Sequence, residues 1–263
     1  MLHEYRQIFT ALSADASIRA IVLTGAGDRA FCSGIDITSS NELFSPDTSV
    51  DAARKSFRLR RHIKEFQDCI GAVAQCEKPV IVVLHGISYG LAIDIACCAD
   101  VRLCSADTRF CVKEVDIGIA ADVGTLTRLP KVVGSGSWVR EVAMTARLWG
   151  AEEAVNVGFV SRALPGKEQA VVEALRIAGM MAEKSPLGVQ GTKALVNYSV
   201  DHSTQEGMCA ACGEIELLRL ADQYRIGLYG CLERGGDTGS GSGDCYSSYY
   251  AEEKSDVREA MSE

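Results

Sequence analysis

Apolar residues recur at helical spacing at the start of the chain: Leu2, Tyr5, Ile8, Phe9 and Leu12 predict an amphipathic helix that gives way to a loop at Asp15-Ala16-Ser17. The pattern then changes period. Ala20 to Thr24 is a short β-branched run closed by Gly25-Ala26-Gly27, which predicts a buried strand. Phe31 to Ile37 leads into a polar stretch through Pro46, and a long helix is predicted from about Val50 to Gln75. Lys78-Pro79 opens a second buried strand, Val80 to Leu84, which stops at His85-Gly86; a helix follows from about Gly90. Val101 to Cys104 and Arg109 to Val112 read as two further strands. Strands alternating with helices predict βαβ units and a mostly parallel sheet. From Gly134 to about Val200 the pattern is helical throughout, with helices at Ser137–Thr145 and Gln169–Glu183 and another opened by Ser185-Pro186.

Composition narrows the class. At 263 residues, 47% hydrophobic and 24% charged, the chain has the make-up of a globular protein with a sizeable core. A net charge of −8 disfavours nucleic acid and anionic membranes as partners. A local basic run (Arg54, Lys55, Arg58, Arg60, Arg61, Lys64) reads either as a solvated helix face or as a contact for an anion such as a ligand phosphate. Of eleven cysteines, Cys97, Cys98, Cys104 and Cys111 sit in apolar runs, as small core residues do in a reducing compartment. Cys209-Ala-Ala-Cys212 is a lone CxxC without a second pair at zinc spacing, so no metal site is expected. No apolar run has the length of a membrane span, and the acid-bearing first helix makes a poor targeting peptide. From Glu233 onward the chain turns Gly/Ser/Asp-rich, with eight acids against three bases, and reads as a disordered acidic tail.

Three carboxylates stand in apolar sequence settings: Asp94 between Ile93 and Ile95, Glu114 near Val112 and Val115, and Asp122 between Ala121 and Val123. Ionised carboxylates are costly to bury, so such a cluster points to proton transfer. The local alternatives are caps for Asp94 and Asp122 and a solvated edge for Glu114. Two Gly-containing loops follow strands: Ser33-Gly34-Ile35-Asp36, and His85-Gly86 through Gly90-Leu91-Ala92, which runs into a helix. Helix N-termini carry unpaired N–H groups, and two of these converging on one oxygen form an oxyanion hole. Taken alone, a Gly at a strand end is more often a turn, His85 reads as a structural hydrogen-bonder, and Asp36 as a loop or cap residue.

Gly34-Ile35-Asp36 after a strand, His85-Gly86-x-x-x-Gly90 opening a helix, and the run from Phe110 to Gly134 together resemble the enoyl-CoA hydratase/isomerase (crotonase) family, most closely its Δ3,5-Δ2,4-dienoyl-CoA isomerase branch. The resemblance covers about Leu2 to His202. It implies an α/β fold, a crotonase-like ββα-repeat spiral core with a helical C-terminal region. It implies that the N–H groups of Ile35 and Leu91 hold a thioester carbonyl, and that Ser33, Gly34, Ile35, Asp36 and Ile37 line the CoA and acyl pocket. Glu114 matches the carboxylate beside the substrate α-carbon, Asp122 the acid at the far end of the dienoyl system, and Asp94 a supporting third. The implied reaction takes a proton from C2 and returns one at C6 through a dienolate, with no metal or redox cofactor, since CoA arrives as part of the substrate. The implied partners are an acyl-CoA thioester and further copies of the chain, in a homotrimer or homohexamer. The implied setting is β-oxidation in mitochondria or peroxisomes.

The chain departs from the family in three places. It starts at a helix that members usually precede with further strands, so the first strands are expected to be missing. Gly90-Leu91-Ala92 stands where members carry more glycine, and the match fades after His202. The organisation expected is therefore a catalytic domain over 1–200, a helical region over 201–232 and a tail over 233–263. The alternatives are an enoyl-CoA hydratase, against which Asp122 argues, and a truncated CoA-thioester-binding non-enzyme.

Overall fold

A computed structural model describes residues 2–35 and 51–220, with side-chain surroundings over 3–35 and 51–213. Met1–Ala210 forms one compact unit and Ala211–Glu263 a second. Asp36, Ile37 and the tail over 233–263 lie outside the described residues.

Strands are dealt out alternately to two sheets. The first sheet has the order β1 (Ile21–Thr24), β3 (Val80–Leu84), β5 (Val101–Ser105), β8 (Arg162–Leu164), and all its pairings are parallel. The second has the order β2 (Ala30–Cys32), β4 (Ile87–Tyr89), β6 (Arg109–Cys111), β7 (Trp149–Gly150), parallel except at β6–β7. Each ββ pair is followed by a helical segment: α2 (Ala52–Gln75) after the first and α3 (Leu91–Cys98) after the second. After the third come a 3₁₀ turn (Glu114–Ile117) and α4 (Thr125–Val133). This is the ββα repeat of the expected fold class.

Residues alternate sides along β3. Val80, Val82 and Leu84 join the main core, while Ile81 and Val83 join a second cluster with Leu103, Ala170 and Ala174. Both faces of the strand are covered, which is why Val-Ile-Val-Val-Leu carries no polar position. Each such side chain contributes about 1.5–3 kcal/mol by leaving water. The second face is covered by α7 (Lys167–Ala182), whose small Ala170 and Ala174 let the helix approach.

The long helix α2 begins at Asp51, whose carboxylate accepts from the Arg54 N–H at 3.0 Å. Its basic first half is exposed, and its second half buries Phe66, Cys69, Ile70 and Val73 at helical spacing. Cys97, Cys98, Cys104 and Cys111 are buried, as their apolar settings indicate.

Three expectations need correction. β1 is only half-buried along its length, because it lies at the edge of its sheet with β3 as its one neighbour. The segment from His85 to the helix is not a plain loop: Ile87–Tyr89 pairs with β6 as β4. The region after Gly134 is not wholly helical. Besides α5 (Gly136–Thr145), α6 (Ala151–Asn156), α7, α8 (Pro186–Ser199) and α9 (Thr204–Leu220), it supplies β7 and β8. These strands have two and three residues, too few to show a period of two.

Candidate active site

The two glycine loops meet. Gly34 and Gly90 both have positive φ, 104° and 53°, a region open to glycine at little cost. A Cβ on Gly90 would lie 3.8 Å from Gly34 Cα and 3.4 Å from Glu114 Oε1, and one on Gly34 would lie 3.6 Å from the Tyr89 carbonyl oxygen. Backbone from two successive repeats thus meets here, and its Gly90 side lies against the Glu114 carboxylate. The Gly90 N–H is spent on the Cys111 carbonyl at 2.9 Å, which ties this loop to the strand that leads to Glu114. The next N–H, that of Leu91, is the first of α3 and has no carbonyl of its own helix to pair with. Leu91 is half-buried, Ser33 exposed and Ile35 49% exposed, so the mouth of this region is open to solvent.

Glu114 opens the 3₁₀ turn and is half-buried. Its Oε2 is buried without a hydrogen-bond partner among the described residues. Buried oxygens are nearly always paired, so an orphan of this kind marks a group kept ready for something else. Burial pushes the Glu114 carboxyl above its ordinary range. The N–H groups of Glu114 and Lys113 oppose that, and the charge of Asp122 adds to it.

Asp94, in the first turn of α3, is 1% exposed. Its Oδ1 accepts from the Thr125 N–H at 2.6 Å and the Thr125 hydroxyl at 2.7 Å. It therefore caps α4, whose own N-cap residue, Gly124, has no side chain to offer. Burial pushes Asp94 up to about 7; the Thr125 bonds work against this, and the neighbouring Glu114 charge works with it.

Asp122 differs from the setting its neighbours imply. Ala121 and Val123 are buried, but Asp122 between them is exposed. The segment belongs to no helix or strand, and its buried positions alternate with the exposed Asp122. Asp122 does not cap α4, because Asp94 has taken that place. Its carbonyl accepts from Gln67 Nε2 at 2.6 Å, and it lines a cavity of about 550 Å³ with Lys64, Gln67, Arg128 and Lys131. A larger cavity, about 1030 Å³, opens on the far side of α3 against Cys97, Cys98, Arg128, Lys193 and Val196, and Glu114 is not among its lining residues.

His85 is buried and joined through Nε2 to the Gly27 carbonyl oxygen at 3.1 Å, and burial lowers its proton affinity. That is the structural role its sequence setting indicates.

The comparisons follow this geometry. The crystal structure of an enoyl-CoA hydratase from Bacillus anthracis superposes with a TM-score of 0.76 at 24% identity, over 89% of this chain and 85% of that one. The profile of the enoyl-CoA hydratase/isomerase family matches residues 1–236.

The chain belongs to the enoyl-CoA hydratase/isomerase family.

Within this family it is 44% identical over 206 residues to the mitochondrial Delta(3,5)-Delta(2,4)-dienoyl-CoA isomerase of Homo sapiens, across 78% of this chain. It is 40% identical to the peroxisomal Delta(3,5)-Delta(2,4)-dienoyl-CoA isomerase of Arabidopsis thaliana, over 78% of this chain and 73% of the relative. The chain spans 62% of the length of the human relative.

For a family member, the residues that local sequence reading passes over are Gly124 and Thr125. Thr125 supplies both hydrogen bonds to Asp94, a partner 31 positions away. The available signal was chemical: an aspartate between two isoleucines needs donors, and Gly-Thr at a helix start supplies them. Among the described residues, no group of three or more His, Cys, Asp or Glu could hold a metal ion, and no helix is long and apolar enough to cross a membrane.

Proposed function

We propose that this chain isomerises 3,5-dienoyl-CoA to 2,4-dienoyl-CoA. The observation that carries the reading is the buried, unpaired Oε2 of Glu114, whose carboxylate lies against the converging Gly34 and Gly90 loops. The names of the relatives at 40–44% identity agree with it.

The thioester oxygen accepts from the Leu91 and Ile35 N–H groups, with Ser33 to Ile37 beside the acyl-CoA. Glu114 takes a proton from C2, and the C–H electron pair moves on to that oxygen, giving a dienolate. Asp122 gives a proton at C6 as the pair returns from the oxygen through the diene, leaving the double bonds at C2 and C4. Glu114 ends protonated and Asp122 ionised; exposed Asp122 regains a proton from water, and Glu114 releases its own. Donors fixed before the reaction cost no reorganisation when the charge develops, which is why they lower the barrier. Asp94 supports the pair by charge and by anchoring α4. Only protons move, so the step as written calls for no metal or redox cofactor.

The setting we infer is fatty-acid oxidation in mitochondria or peroxisomes, the two compartments that the relatives' names carry. Assembly into a homotrimer or homohexamer is part of the same reading. Exposed Met144, Leu148, Val172 and Leu175 favour it, and light scattering of the full chain tests it.

The deciding experiment offers 3,5-dienoyl-CoA and follows ultraviolet absorbance of the conjugated 2,4-product. Absence of turnover by folded protein would sink the proposal. Consumption of 2-enoyl-CoA instead would make the chain a hydratase, and binding of either without turnover a non-enzymatic thioester binder.

A further inference from the structure

One guanidinium sits where Gly124 leaves room for it. Arg128 lies one turn into α4 and is half-buried. A Cβ on Gly124 would come within 2.3 Å of Arg128 Nη1 and 3.8 Å of Asp94 Oδ1. A Cβ on Gly71 of α2 would touch Nη2 at 3.6 Å. The guanidinium therefore lies over the Gly124 backbone, next to the carboxylate that caps the helix. Among the described residues its side chain makes no ion pair and no hydrogen bond. Arg128 lines both cavities, so the charge is not sealed from water, and it acts on its neighbours through its field. The field of Arg128 reaches Asp94, and also Cys97, Cys98 and Asp201.

We propose that Arg128 is a positioning residue: its charge, next to Asp94, favours the ionised form of that carboxyl beside Glu114, and through Asp94 sets how strong a base Glu114 is. The second half of this rests on the isomerase reading; the first does not. Several titratable groups lie on the elements packed against α3. They are Cys32 on β2, Tyr89 on β4, Glu114 at the 3₁₀ turn, Arg128 on α4, and Lys64, Asp68 and Cys69 on α2, with Cys97 and Cys98 on α3 itself. Lys64 and Asp68 pair with each other. Burial and the charge of Glu114 disfavour an ionised Asp94. The Thr125 N–H and hydroxyl and the Arg128 charge favour it. Glu114, once ionised beside a charged Asp94, binds a proton more strongly than beside a neutral one.

The test is a carbon-13 NMR titration of the full chain, with the Asp94 carboxyl assigned by its loss in Asp94→Asn. In Arg128→Met the Asp94 midpoint should rise by about one pH unit, and Arg128→Lys should restore it. An unchanged midpoint in Arg128→Met overturns the proposal. If that variant does not fold, Gly124→Ala keeps the arginine while its Cβ displaces the guanidinium. The same rise is expected there, and no rise again overturns the proposal. The titration needs no turnover, so a shifted Asp94 in a chain that never isomerises dienoyl-CoA removes the isomerase reading and leaves the Asp94–Arg128 link standing. In active protein the inflection of kcat/KM near pH 7 should move up with Asp94; an inflection that stays put while Asp94 moves overturns the tuning of Glu114.

Discussion

Asp94 and Asp122 are both aspartates between apolar neighbours, yet the fold treats them oppositely. Asp94 is on a helix buried all round, so its flanking isoleucines and its own side chain all go inward. Asp122 is on chain outside any helix or strand, exposed between the buried Ala121 and Val123. The same local pattern therefore means burial on a helix packed on all sides and exposure on irregular chain. The difference also divides the labour: a carboxylate sealed among fixed donors can organise a site, and one in contact with water can exchange protons with it.

The first way to break this division is at the base between them. Glu114→Gln should lower kcat/KM for 3,5-dienoyl-CoA by about 10³-fold in the absorbance assay, and a rate near that of the parent would remove Glu114 from the chemistry. Next comes the exposed end. Asp122→Asn should cut isomerisation by about 10²-fold while deuterium exchange at C2, read by mass spectrometry, continues. If both fall together, the two ends do not act separately.

The buried end is sharpened by pH. Folded Asp94 keeps its proton up to about pH 7, whereas an unfolded aspartate loses it near 3.8. Between these values the folded state binds more protons, so stability should fall as pH rises from about 4 to about 7, by up to about 4 kcal/mol. Urea unfolding at the two ends of that window should show a smaller fall in Asp94→Asn, with a residue left by Glu114, which is raised in the same direction. An equal fall in both proteins would mean that Asp94 is not the group responsible. The smallest effect is at the loop. Gly90→Ala puts a side chain at φ 53° and 3.4 Å from Glu114 Oε1, and should cost about 1 kcal/mol of stability and about tenfold in kcat/KM. Unchanged values would show that the loop tolerates a Cβ.

Elements with several turns or a continuous apolar run were legible in the sequence. The first helix, α1 (Leu2–Ala14), α2 and β3 lie within two residues of their expected bounds, because each repeats its pattern often enough to be unambiguous. β4, β7 and β8 were not, since their two or three residues lack the apolar run Phe110-Cys111-Val112 that betrays the equally short β6. In the site, Gly34, Gly90 and Glu114 are brought together as the motif spacing implies. The bond from Thr125 to Asp94 could not be read, because it is made by the stacking of one repeat on the next.

The chain between Glu114 and Thr125 is pinned at both ends. The Gly118 N–H bonds the Val115 carbonyl and the Ile119 N–H that of Glu114, while Thr125 is locked on to Asp94. Asp122 hangs from this span at a set remove from Glu114, and on the proposed isomerase reading the span would act as a ruler laid along an acyl chain. Its length, rather than the identity of either acid, would then choose which carbon is reprotonated. A residue added between Gly118 and Ala121 should leave proton loss at C2 intact and lower proton delivery at C6, where the conjugation ends.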